Sequence, residues 1–119
     1  MHKYEVKVKK IGISALELYK ECGCLIIFDE TAPEELAEIA VLHEESLFDK
    51  EINVGDMVTL GKHDYKITAI GDEALYTLKE LGHCTFKFTG HSEAEVPGQI
   101  ELSGEHEPDI EPGDYIIFK

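Results

Sequence analysis

Apolar and polar residues alternate at several places along the chain, and this patterning predicts most of its secondary structure. Tyr4, Val6 and Val8 alternate with Glu5, Lys7 and Lys9, as in a strand with one buried and one wet face. Ser14-x-x-Glu17 has capping-box spacing and predicts a short helix through about Lys20. The run Leu25 to Phe28 reads as a fully apolar strand. Thr31-Ala32-Pro33-Glu34 repeats the helix-start logic, with proline in the first turn and Glu34 and Glu35 matched to the helix dipole. That second helix ends near Glu38, and Ile39 to His43 follows as a strand. Met57–Leu60, Tyr65–Ile70, Cys84–Phe88, Gln99–Leu102 and Tyr115–Phe118 are strand-like by alternation and by β-branched or aromatic content. Asp72 to Leu81 predicts a helix, with Leu75 and Leu78 on one face and Gly82 as its C-cap. Turn glycines recur at short intervals. The prediction is a mainly β fold, a small β-barrel with two or three short helices.

One echo runs through the chain. Asn53-Val54-Gly55-Asp56 leads into Met57–Leu60 as Glu111-Pro112-Gly113-Asp114 leads into Tyr115–Phe118. Two such copies do not make a solenoid; they read as two similar turns feeding one barrel. A chain of 119 residues fits one domain, spanning 1–119. No apolar run reaches membrane-spanning length, and the first residues have no apolar core of a signal peptide. The expected location is the cytoplasm, with no direct membrane insertion.

Charge and cysteines narrow the chemistry. Lys plus Arg total 11 and Asp plus Glu total 25, for a formal net charge of −14. All the cations are lysines, so the bidentate arginine forks that suit phosphates and bases are missing, and nucleic acid is excluded as a partner. The same field favours encounter with a basic partner surface, although solubility alone accounts for it. Cys22, Cys24 and Cys84 are three, and Cys22-Gly23-Cys24 lacks the spacer of redox and zinc knuckles. Free buried thiols are expected, and no cofactor or stoichiometric metal.

There is no Walker loop, Rossmann glycine pattern, nucleophile elbow or His-Glu-x-x-His helix. The paired acids Glu34/Glu35, Glu44/Glu45 and Glu93/Glu95 read as solvated faces in so acidic a chain. Six histidines remain. His2 and His106 lie in polar stretches, and His91 follows a turn glycine. His43 ends an apolar run, His63 stands at the mouth of a strand, and His83 follows the cap Gly82. Histidines at strand ends above a barrel can converge in space, and a zinc site from His43, His63, His83 and an acid is conceivable. Its ligand spacing matches no known signature.

Several segments, taken together, carry a resemblance: Lys10-Ile11-Gly12-x-Ser14-Ala15, Ala32-Pro33-x-x-Leu36, Gly61-x-His63-x-Tyr65-x-Ile67-Thr68-Ala69-Ile70-Gly71, Glu80-Leu81-Gly82-His83-x-Thr85 and Glu93-Ala94-Glu95-x-Pro97-Gly98. In order and spacing they resemble the glucitol/sorbitol-specific IIA component of the bacterial phosphoenolpyruvate-dependent sugar phosphotransferase system, over nearly the whole chain. The length matches a free-standing IIA domain. The resemblance implies a β-barrel phosphohistidine carrier that accepts a phosphoryl group from HPr and passes it to the cysteine of a cognate IIB domain, part of the IIB/IIC membrane permease. The family's phosphorylated histidine falls on His43. Glu44-Glu45-Ser46, which follow it, are not strongly constrained by the resemblance.

The residue suits that chemistry. A neutral imidazole at cytoplasmic pH can attack phosphorus without a separate base, and phosphoryl transfer needs alignment and charge stabilisation above all. His63 and His83, both in family-like segments at strand starts, are expected to support the site by donating to phosphate or shaping the pocket. Glu44 and Glu45 are expected to point away from it. His43 itself is expected to face solvent, with Nε2 outermost, so that its removal changes stability by no more than about 0.5 kcal/mol. Two other readings stand beside the carrier: a non-catalytic β-barrel interaction or regulatory module, and a histidine-ligated metal enzyme. The sugar alcohol is not legible, because in this family IIA does not touch the sugar.

Overall fold

The alternating segment Tyr4–Ile11 forms strand β1, whose Tyr4, Val6 and Val8 are buried while the residues between them are exposed. The computed structural model describes residues 2–119, and Met1, the first residue of the predicted domain, lies outside them. Along the described residues follow α1 (Ala15–Cys22), β2 (Cys24–Asp29), α2 (Glu34–Ala37), β3 (Ala40–His43), β4 (Met57–Leu60), β5 (His63–Ile70), α3 (Ala74–Leu81), β6 (Cys84–Lys87), β7 (Gln99–Ser103) and β8 (Tyr115–Phe118). The strands close into a barrel in the order β1-β3-β2-β6-β7-β5-β4-β8. Side chains filling it include Val6, Leu25, Ile27, Leu60, Ile67, Phe86, Ile100, Leu102, Ile116 and Phe118, all fully buried. Two of the pairings, β2–β3 and β6–β7, are parallel and the rest are antiparallel.

The helices differ in detail from expectation. Ser14 precedes α1, but its side chain makes no capping hydrogen bond; the turn is held instead by its backbone N–H, which donates to the Glu38 carbonyl. Pro33, not Thr31, stands at the N-cap of α2, because the Thr31 hydroxyl and N–H both donate to Asp29 Oδ1. The third helix starts at Ala74, two residues later than the pattern predicts. Gly23 and Gly82 close α1 and α3 in the left-handed conformation.

The echo proves to be part of a longer internal repeat, in which, among the described residues, α2 alone has no helical counterpart. With a shift of 59 positions, taking Gly12 to Gly71, β1-α1-β2-α2-β3 superposes in pattern on β5-α3-β6 and β7. Gly12 N–H donates to Ala40 O, and Gly71 N–H to Gln99 O; Ser14 N–H donates to Glu38 O, and Glu73 N–H to Pro97 O. The irregularity between Val8 and Lys10 recurs between Ile67 and Ala69. The turns Asn53–Asp56 and Glu111–Asp114 match too, each with an aspartate side chain accepting from the N–H three residues earlier. Exchanging β1, β2, β3 and β4 with β5, β6, β7 and β8 turns the ring order into itself read backwards. The two halves are therefore related by a two-fold axis across the barrel, passing between β2 and β6 and between β4 and β8.

Each half crosses over itself at a glycine. A Cβ on Gly12 would lie 2.2 Å from Ala37 O, and one on Gly71 would lie 2.2 Å from Pro97 O. Both obstacles are backbone, which cannot rotate aside. Gly12→Ala and Gly71→Ala are each expected to cost about 1–3 kcal/mol or more in urea unfolding. Gly98→Ala, where a Cβ meets nothing within 4 Å, should stay within about 0.5 kcal/mol. Equal midpoints for all three would show that the crossings do not depend on glycine.

Candidate functional site

The end of β3 is held between its two neighbours, where His43 lies opposite Val8 of β1 and Asp29 of β2. Contrary to the expectation of a solvent-facing side chain, His43 is 0% exposed. Its Nδ1 is 2.8 Å from the Glu44 carbonyl oxygen and its Nε2 is 2.7 Å from that of Gly82. Two carbonyls can both accept only from a doubly protonated ring; the neutral ring donates to one and turns a lone pair on the other. The ring is thus fixed in orientation and shut off from solvent by the cap of α3. Direction explains the meeting: β6 runs antiparallel to β2 and β3, so the turn before it reaches the end of the barrel where β3 finishes.

Gly82 is required here twice over. Its φ is +62°, and a Cβ would stand 2.5 Å from His43 Cε1 and 2.9 Å from the Asp29 Cβ. Asp29 is buried, and its Oδ1 accepts from Thr31. Tyr4 presents its ring edge-on to His43 at 6.3 Å between centroids. Its hydroxyl is buried with no hydrogen-bond partner among the described residues. Burial first, then the neighbouring Cys84, Asp29 and Glu44, push that phenol well above its ordinary range. Beside the buried ring opens a groove of about 390 Å³ lined by Asp29, Glu45, Ser46, Leu47, Lys79 and Glu80, in which Lys79 is the one cation among the lining residues. Of the two acids after His43, Glu44 accepts a hydrogen bond from the Lys7 N–H, whereas Glu45, expected to point away, lines the groove.

The three histidines singled out from sequence do not converge. His83 adjoins the site: it follows Gly82, its Nδ1 is 3.0 Å from the Ile27 carbonyl oxygen, and its ring stacks on Phe28 at 4.7 Å. His63 is elsewhere. It opens β5, which lies four strands from β3 in either direction around the ring. Because β5 runs in the same sense as β3, its first residue is also at the opposite end of the barrel. There His63 stacks on His106 at 4.3 Å. The expected supporting role of His63, and a zinc site built from His43, His63 and His83, are both corrected by this topology. The thiols are also not uniformly buried: Cys84 is, but Cys22 is exposed and Cys24 half-buried. Sequence reading missed Tyr4, Asp29 and Lys79. Tyr4 was legible only as a core position, and the other two belong to segments whose proximity depends on the crossed connections.

A family model described as the PTS system glucitol/sorbitol-specific IIA component matches residues 3–117. The glucitol/sorbitol-specific EIIA component of Escherichia coli (strain K12) is 36% identical over 116 residues, covering 98% of this chain and 94% of the relative. The component of the same description from Shigella flexneri matches to the same extent. A crystal structure of a PTS system IIA component from Enterococcus faecalis V583 superposes with a TM-score of 0.80 at 24% identity, covering 95% of this chain and 97% of that one, a likeness of fold. The closed barrel and the sequence match together define a IIA component of the phosphotransferase system. Within that class, the chain belongs to the glucitol/sorbitol-specific IIA family. No helix among the described residues is long and apolar enough to cross a membrane.

The burial of His43 makes its removal costly. His43→Ala leaves a cavity in the barrel and removes the ring's hydrogen bond to a backbone carbonyl, so it should lower stability by roughly 2–4 kcal/mol in urea unfolding. A loss within about 0.5 kcal/mol, the figure for a surface side chain, would mean that the ring is not packed as described.

Proposed function

We propose that this protein is a phosphohistidine carrier, taking a phosphoryl group from phosphorylated HPr onto His43 and passing it to the cysteine of a IIB domain during sugar-alcohol uptake. The observation that carries the reading is the buried, oriented imidazole of His43, whose strand neighbour Asp29 lines a groove that also carries one lysine. Family membership gives the reaction class, and the resemblance of the sequence to that family implies His43 as the phosphorylated residue. Of the two neutral tautomers, the one whose Nδ1–H donates to the Glu44 carbonyl leaves the lone pair on Nε2, and this is the reactive form. Attack forms the Nε2–P bond as the bond to the donor breaks; transfer onward breaks Nε2–P as the S–P bond forms on the acceptor.

In the structure Nε2 faces the Gly82 carbonyl, an oxygen that repels an incoming phosphoryl group. Reaction therefore requires the α3 cap or the segment after His43 to move aside when the donor docks. Lys79 then lies in the groove to offset phosphoryl charge, with Ser46 as a donor. The unpartnered Tyr4 hydroxyl supplies a further donor on the barrel side of the ring. His83 keeps its supporting role by fixing the turn that carries Gly82. HPr, the IIB/IIC permease components and a cytoplasmic setting belong to the same proposal.

The capping of both ring nitrogens favours a second reading, in which His43 is structural and the barrel is an interaction module. One experiment separates them. Incubation with phosphoenolpyruvate, enzyme I and HPr, followed by intact-mass measurement, should show one phosphoryl group per chain, acid-labile and stable to mild alkali. A folded His43→Gln variant should take up none, and His63→Gln should label like the wild type. Labelling of folded His43→Gln would remove His43 from the role, and an unlabelled wild type would favour the interaction module. Tyr4→Phe should slow transfer severalfold while leaving stability unchanged or raised, because it deletes a buried, unpaired hydroxyl. An unaltered rate in Tyr4→Phe would leave Tyr4 as core packing alone.

A further inference from the structure

Away from His43, three strands round the ring from β3, the outward face of β7 carries a carboxylate that water does not reach. Ile100 and Leu102 point into the core, so Glu101 between them points out of the barrel, yet it is 0% exposed. The segment between β6 and β7 covers it. That cover is tied down by two threonines: Thr89 donates its hydroxyl to Glu101 Oε1, and Thr68 donates to the His91 carbonyl at 2.7 Å. Oε2 of Glu101 has no hydrogen-bond partner among the described residues. Lys87 stands beside Glu101 in register on β6 but does not pair with it. A buried carboxylate with one oxygen unmatched is a costly arrangement unless something supplies positive charge.

The covering segment brings two further ligands to that carboxylate. The side chains of His91, Glu95 and Glu101 each offer a ligand atom, and these atoms all lie within 4.8 Å of one another. His91 Nδ1 and Glu95 Oε1 are 3.9 Å apart, and both residues are exposed. Ligands around a zinc ion at about 2.0–2.2 Å stand some 3.3–3.6 Å apart, so two mobile surface side chains need close by only about an ångström onto the fixed carboxylate. One imidazole nitrogen and two carboxylates suit zinc or a similar transition ion, whereas calcium and magnesium favour oxygen alone. We infer that His91, Glu95 and Glu101 form a divalent transition-metal site, with zinc as the fitting ion, that pins the β6–β7 segment to the barrel wall. The site departs from the expectation of a metal-free protein. Sequence spacing missed it because its anchor, Glu101, lies on a strand and looks like any of the chain's many acids. It is independent of the reading of His43.

The test uses the full chain, stripped with a chelator, dialysed and titrated with zinc chloride by calorimetry at neutral pH. The wild type should bind one zinc per chain and melt at a higher temperature with zinc than without. His91→Ala and Glu95→Gln, at exposed positions that leave folding intact, should each weaken binding at least about tenfold, as should Glu101→Gln if it folds. Cys22→Ser, Cys24→Ser and His63→Ala should bind as the wild type does. Absence of one-to-one binding in the wild type, or unchanged affinity in both His91→Ala and Glu95→Gln, would overturn the site. Zinc lost in a cysteine variant instead would place the ion elsewhere, with the same consequence for the inference.

Discussion

Closure of the barrel governs everything else in this molecule. Each strand must find partners on both sides, and two of the pairings are parallel, so the chain has to return from one end of the barrel to the other between β2 and β3 and again between β6 and β7. Each returning segment then lies across the start of its own half, and the only way past is over a residue without a side chain. Gly12 and Gly71 fill that place, with backbone oxygens where a Cβ would be. At each crossing two backbone N–H groups donate to carbonyls of the returning segment, Gly12 and Ser14 to Ala40 and Glu38, and Gly71 and Glu73 to Gln99 and Pro97.

The same crossing creates the environment of His43. A histidine at the last position of a strand is normally wet, but here the cap of α3 is brought over it, and Gly82 can lie against the ring because it lacks a Cβ. The imidazole is therefore oriented by backbone rather than by acids, and its neighbours Tyr4 and Asp29 come from strands on either side. On the proposed reading, such shielding protects a labile phosphoramidate from water at the cost of requiring the cap to yield before transfer.

The strands were legible because their alternation is local: every strand expected from pattern appears, most within a residue or two of its predicted bounds. Helix starts were less legible, since Ser14 and Thr31 find partners other than the helix N–H groups they precede in sequence. Burial of His43 was not legible at all. Nothing in Val41-Leu42-His43-Glu44 distinguishes a strand end under a cap from one in water; the difference comes from a glycine 39 positions further on. His63 misled for the converse reason, because a strand-start histidine in a family-like segment says nothing about which end of a closed ring it occupies. The repeat signal itself was stronger than two turns suggested. Ile11-Gly12, Ala15-Leu16, Lys20-Glu21 and Gly23 recur at Ile70-Gly71, Ala74-Leu75, Lys79-Glu80 and Gly82, and a register search would have exposed it.

That internal two-fold has a consequence for how specialised the two ends can be. Two separate copies of one half-chain, paired as a symmetric dimer, would close the same ring but would have to carry every side chain twice, once at each end. Joined in one polypeptide, the halves are released from that obligation. The position of His43 is occupied in the second half by Leu102, and that of Glu101 in the first half by Leu42, so the two halves share a frame but differ at these positions. Covalent linkage thus lets a nearly symmetric shell carry different side chains at its two ends, so that one end can do something the other does not.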